Sequence, residues 1–148
     1  MDTPSAPSPP RPVPDDLTRF FWDGVKQHKL MILRCRGCGY YIHYPRPICE
    51  RCLSEDLEPQ QVSGRGTLYS YTVTVQAFHP FWVDKIPYVL ATVELDEQEA
   101  LKMPTNVIEC PEDQLKVGMP VEVAFEEVAP GLTLPLFKPA QSSQAGSQ

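Results

Sequence analysis

The sequence predicts a mainly β chain in which a short amphipathic helix and a metal-bound ribbon precede a small five-stranded barrel. Three observations carry that reading: two Cys-x-x-Cys pairs early in the chain, apolar residues at helical spacing just before them, and period-two alternation through most of the chain beyond them. A chain of 148 residues fits one ordinary domain or two very small ones, and is too short for a large multidomain enzyme.

Six of the 17 prolines fall within the first 14 residues, among Ser, Thr and Ala, so residues 1–13 are expected to form a disordered tail. Residues 14–29 are expected to form the helix. Asp15 and Asp16 suit its positive end, and Leu17, Phe20, Phe21 and Val25 make one apolar stripe with Trp22 beside it. So aromatic a stripe serves either its own domain or a partner, which makes Phe20, Phe21 and Trp22 docking candidates.

Residues 30–60 form the ribbon and its connector, with a short strand over Leu30 to Leu33 and a polar stretch over Ser54 to Gln60. Residues 61–139 form the barrel. In Thr67 to Val75 the side chains Tyr69, Tyr71, Val73 and Val75 share one face, and Tyr88 to Leu95 repeats the alternation through Val89, Ala91, Val93 and Leu95. A third strand falls within Leu101 to Ile108, a fourth holds Val121, Val123 and Phe125, and Leu132 to Phe137 supplies a fifth. Five short strands with one helical turn near Pro111 fit an OB-fold barrel, with an SH3-like barrel as the alternative. Residues 140–148 hold Ser, Gln, Ala and Gly without apolar period and are expected to be a second disordered tail.

The formal charge of -6 argues against a protein held to nucleic acid by bulk positive charge. No run reaches the roughly 18 apolar residues of a membrane span, and the first residues lack a signal-peptide pattern, so a soluble, cytoplasmic protein without a membrane partner is expected. In a reducing compartment the cysteines point to metal before disulfides. Cys35, Cys38, Cys49 and Cys52 supply two knuckles, with ten residues between Cys38 and Cys49, which suits a compact rubredoxin-like ribbon. Four thiolates close the coordination sphere, so the ion is structural, and zinc is preferred to iron because nothing suggests electron transfer. Removing the zinc is expected to unfold residues 30–53, and His43 is expected to be a surface residue and not a ligand.

Between residues 26 and 51 there are six cations against the single acid Glu50. They either offset the thiolates or form a small phosphate-binding patch. The sequence has no G-x-S-x-G elbow, H-E-x-x-H, Walker loop or G-x-G-x-x-G, and Cys110 is flanked by Glu109, Glu112 and Asp113, which oppose a thiolate. Catalysis by this chain is therefore not expected. The loop from Gln76 to Ile86 is unusually apolar, and Phe78, Phe81 and Trp82 either close the barrel or face a partner.

Phe21-Trp22, the run Leu33 to Gly39, the second knuckle, Gly64 to Ser70, Pro87-Tyr88-Val89, Gly118 to Val121 and Pro135 to Pro139 together resemble the DUF35 family over roughly residues 15–139. Glu50 and Leu53 stand where many relatives carry proline and glycine, and the turn at Asp96 to Glu99 lacks the usual glycine. The resemblance implies an N-terminal helix, a zinc ribbon and an OB fold, in an accessory subunit of thiolase-fold enzymes: thiolases, acyltransferases, or steroid side-chain aldolases of lipid-transfer type, with some members adjoining hydratases. It further implies a part in the acyl-CoA channel, with Arg34, Arg36 and Arg46 as contacts to CoA phosphates. The competing reading is a single-stranded nucleic-acid module, which the charge disfavours.

Overall fold

The computed structural model describes residues 7–141, so the expected tails at 1–6 and 142–148 lie outside the described residues. Helix α1 runs over Arg19–Lys26, shorter than the expected 14–29. Asp15 organises the turn before it, with Oδ1 accepting from the amides of Leu17 and Thr18 at 3.0 and 2.9 Å and Thr18 Oγ1 accepting from the Asp15 amide at 3.0 Å, but the N-cap residue is Thr18 and makes no side-chain cap bond. The preceding proline segment is not a free tail throughout. Pro9 is buried and Arg11 Nη2 donates to the Pro130 carbonyl at 2.9 Å, and prolines fixed in φ make such ordering cheap.

A three-stranded antiparallel sheet comes next, in the order β2 (Tyr41–Ile42), β1 (Met31–Cys35), β3 (Leu57–Gln61). Strand β3 occupies the stretch expected to be a polar connector. Its sequence Leu-Glu-Pro-Gln-Gln has no apolar alternation, because it lies at a sheet edge and pairs with β1 through its backbone, with Pro59 opposite Leu33. Strand β1 serves two cores. Ile32 packs with the barrel cluster, whereas Leu33 and Cys35 pack with Ile42 and Cys49 in the ribbon.

The remaining strands are β4 (Arg65–Thr74), β5 (Tyr88–Leu95), β6 (Lys102–Val107), β7 (Pro120–Ala129) and β8 (Leu132–Pro139). They close as β4-β5-β6-β8-β7, with β7 returning to β4, which is an OB-fold barrel. Period two works well for β5, whose Val89, Ala91, Val93 and Leu95 are all buried. It fails along β4 because the register shifts between Leu68 and Ser70. Before the bulge Gly66 and Leu68 face inward, after it Tyr71 and Val73 are half-buried, and Tyr69 and Val75, expected on their face, are exposed. Gly66 is required where it stands: a Cβ there would collide with the carbonyl oxygen of Glu94 on β5.

One side chain fastens ribbon to barrel. Gln98, in the β5–β6 turn, accepts from the Tyr41 amide at 2.8 Å and donates to the Tyr41 carbonyl at 3.0 Å, so it mimics one more pairing residue for β2. Gln98→Ala is expected to cost about 1 to 3 kcal/mol, because both Tyr41 groups lose their partner. Native-state amide exchange should show the Tyr41 N–H released ahead of the barrel amides; unchanged protection would refute the clamp.

Candidate metal centre and adjoining cleft

Cys35 ends β1, Cys38 lies in the first knuckle, and Cys49 and Cys52 form the second. Each knuckle is a tight backbone turn: the Gly39 amide donates to the Cys35 carbonyl and the Leu53 amide to the Cys49 carbonyl, both at 2.9 Å. The residue after each turn takes a left-handed conformation, Gly39 at φ 81° and Leu53 at φ 66°. Leucine thus adopts a geometry that glycine enters without strain.

The four Sγ atoms lie within 4.8 Å of one another, with Cys35 to Cys52 at 3.5 Å and Cys38 to Cys49 at 3.7 Å. Tetrahedral zinc with Zn–S near 2.3 Å sets sulfurs about 3.8 Å apart, so these four fit one ion. The turn amides also favour thiolates. The Cys38 N–H approaches Cys35 Sγ at 3.5 Å and lowers that thiol to about 6, and backbone N–H groups led by that of Cys52 lower Cys49. Cys35 and Cys49 are buried, Cys38 and Cys52 exposed. No fifth ligand joins them among the described residues.

His43 is half-buried and not a free surface side chain. It lies in the loop between the knuckles, its ring 5.8 Å from Phe21 and 4.8 Å from Tyr44, and burial lowers its pKa to about 4, so the imidazole is neutral at pH 7. It lines a cleft of about 360 Å³ between α1, this loop, and strands β6 and β8. The cleft exists because β6 and β8 are paired only at Val107 and Phe137 and diverge beyond that point. Sequence reading missed it, although Pro104 and Pro135 inside predicted strands were a signal that two strands lacked full pairing there.

The arginines do not gather into one patch by their contacts. Arg34 stacks 4.6 Å over the Tyr41 ring and its Nε donates to the Gly39 carbonyl at 3.0 Å. Arg36 faces Asp56 at 3.7 Å and Glu58 at 4.0 Å, while Arg46 is exposed beside a groove that also holds Glu55 and Asp16. The aromatic docking candidates separate as well. Phe21 is core, Phe20 bridges the two apolar clusters, and Trp22 lines the cleft. In the β4–β5 loop Phe81 is buried, and Trp82 packs edge-on against it at 4.7 Å, whereas Phe78 is 83% exposed.

A closed four-cysteine site built into a ribbon and clamped to a five-stranded barrel defines a zinc-ribbon OB-fold protein. Family models agree in order: the ChsH2 rubredoxin-like zinc ribbon domain matches residues 22–58, and the ChsH2 C-terminal OB-fold domain matches residues 59–126, ending within β7. The chain belongs to the DUF35 family. It is 32% identical to a DUF35 domain-containing scaffold protein of Methanothermobacter thermautotrophicus, over 72% of this chain and 80% of that protein. It is 38% identical to a probable enoyl-CoA hydratase alpha subunit of Thermomonospora curvata, over 88% of this chain but only 40% of the length of that subunit. Among solved structures it resembles a chain of an Ltp2-ChsH2(DUF35) aldolase, with 37% identity and a TM-score of 0.79 over 87% of this chain and 98% of that one. No described helix is long and apolar enough to cross a membrane.

Proposed function

We propose that the chain is a non-catalytic, zinc-stabilised accessory subunit that docks on a thiolase-fold enzyme, specifically a lipid-transfer-type aldolase, and helps form its acyl-CoA site. The observation that carries this reading is the match to nearly the whole of a DUF35 chain from an aldolase complex. Two features of the molecule support it. The metal is closed by four thiolates and offers no position for substrate, and the sequence carries none of the hydrolase, metalloprotease or nucleotide motifs. The hydratase likeness covers less than half of that subunit and favours a second arrangement, in which a hydratase takes the place of the aldolase.

Docking through the β4–β5 loop now centres on Phe78, flanked by exposed Val75 and Val83, since Phe81 is committed to the interior. Of Arg34, Arg36 and Arg46, Arg46 is the one with no ion pair, side-chain hydrogen bond or aromatic contact among the described residues, and is the first candidate for a CoA phosphate. Co-expression with an untagged lipid-transfer-type aldolase should yield one complex by affinity purification. Phe78→Asp should lower recovery of the enzyme at least tenfold while leaving the melting temperature of the isolated chain unchanged. Undiminished recovery would remove the loop from the interface, and turnover of an acyl-CoA by the isolated chain would overturn the accessory role.

A further inference from the structure

We propose that the rim of the barrel between the β4–β5 loop and the β7–β8 turn is a port for a proline-rich, arginine-bearing segment of a partner protein, and that residues 7–14 fill it in the isolated chain as a displaceable strap. The inference stands on the strap and its seat, and does not depend on which enzyme the chain joins. The segment runs Pro7-Ser8-Pro9-Pro10-Arg11-Pro12-Val13-Pro14, and its contacts trace a path across the rim. Pro7 shares a cavity with Phe81 and Val83 of the β4–β5 loop, and Pro9 is buried. Arg11 Nη2 donates to the Pro130 carbonyl at 2.9 Å, and Pro12 and Pro14 share a small pocket with Trp22, Lys26 and Leu132.

The two elements so bridged join the first barrel strand to the second and the fourth to the fifth. In OB barrels that pair of loops takes part in holding extended ligands such as oligonucleotides and oligosaccharides, so the strap sits where a ligand is expected. The chemistry of the seat selects a different occupant. Phe81 and Trp22 flank the two ends of the strap, and aromatic side chains are what polyproline-reading grooves present to proline rings. Between them the turn offers the Pro130 carbonyl, and Glu127, whose Oε1 accepts from the Gly131 amide at 3.3 Å, adds a negative charge to the same turn. That position calls for a cation, which Arg11 supplies.

The hold is light. Five of the eight residues are proline and lack an N–H, no backbone hydrogen bond ties residues 7–14 among the described residues, and the bond from Arg11 to Pro130 is the one side-chain bond they make there. Rings fixed in φ make the strap cheap to order, and a competing segment with the same rings and charge has the same advantage.

The test uses the zinc-loaded full chain and a fluorescently labelled peptide with the sequence of residues 7–14. Pro9→Asp with Arg11→Ala in the chain should free the port. This released chain should bind the peptide about tenfold or more tighter than the wild-type chain, whose tethered strap competes at high effective concentration. Arg11→Ala alone, at an exposed position, should shift the affinity in the same direction and carries the test if the double variant does not fold. Replacing the arginine of the peptide by alanine should weaken binding about tenfold. Amide shifts on binding should fall on residues 80–85 and 130–133, with a melting curve showing that the released chain is folded. A folded released chain that binds no peptide at millimolar concentration, equal binding by released and wild-type chains, indifference to the arginine, or shifts confined to other residues would each overturn the proposal. A wild-type dimer that is lost in the released chain would make a second copy the occupant and overturn the assignment to a separate partner.

Discussion

Chelating the zinc from the intact chain should collapse the amide dispersion of residues 33–53 while the barrel signals persist. The ribbon has almost no apolar interior of its own. Its cluster consists of Leu33, Cys35, Ile42 and Cys49, so two of the four buried members are ligands, and strand β2 has two residues. Structural zinc supplies about 10 to 16 kcal/mol in small zinc-binding peptides, as much as the entire stability of an ordinary domain. Nothing in a cluster of two aliphatic side chains replaces that amount. Leu30 and Ile32 should stay ordered, because they pack into the barrel cluster and not into the ribbon. Cys49→Ser should reproduce the chelated spectrum. A ribbon that keeps dispersed signals after complete metal removal would overturn the structural role of the ion.

Phe137→Ala should destabilise the barrel by about 3 to 5 kcal/mol, measured as a lower urea midpoint at unchanged slope. Phe137 is the largest fully buried side chain, and it sits at the closing seam. It pairs with Val123 on β7 and with Val107 on β6, and its carbonyl accepts from the Ile108 amide at 2.8 Å. Beyond this point β6 and β8 have no further ladder pair, and the Thr105 hydroxyl, donating to the Pro135 carbonyl at 2.9 Å, is what bridges them. Phe137→Leu, which keeps most of the volume, should cost less than about 1.5 kcal/mol. A loss under about 1 kcal/mol for the alanine variant would mean that the seam closes without this side chain.

The metal ligands, the order of elements and the five barrel strands were legible because each rests on local chemistry: two-residue thiolate spacing, helical period, and strand alternation. What escaped depends on contacts between distant segments. Strand β3 has no apolar pattern, since its pairing with β1 runs through backbone groups that every sequence carries. The bulge in β4 separates two tyrosines expected on one face, leaving Tyr69 exposed and Tyr71 half-buried, and one extra residue in a ladder leaves no mark in composition. His43 looked like a surface residue because its neighbours Phe21 and Tyr44 come together only when helix and ribbon dock. The pairing of β1 with β2 likewise turned Arg34 from a free cation into one engaged with Tyr41 and Gly39.

The unequal burial of the thiols sets the direction from which the ion arrives. A donor molecule in solution would meet Cys38 and Cys52 first, and the buried Cys35 and Cys49 would engage last. Loading and loss are then governed by access to one face of the site, where two of the four ligands stand open to a competing chelator.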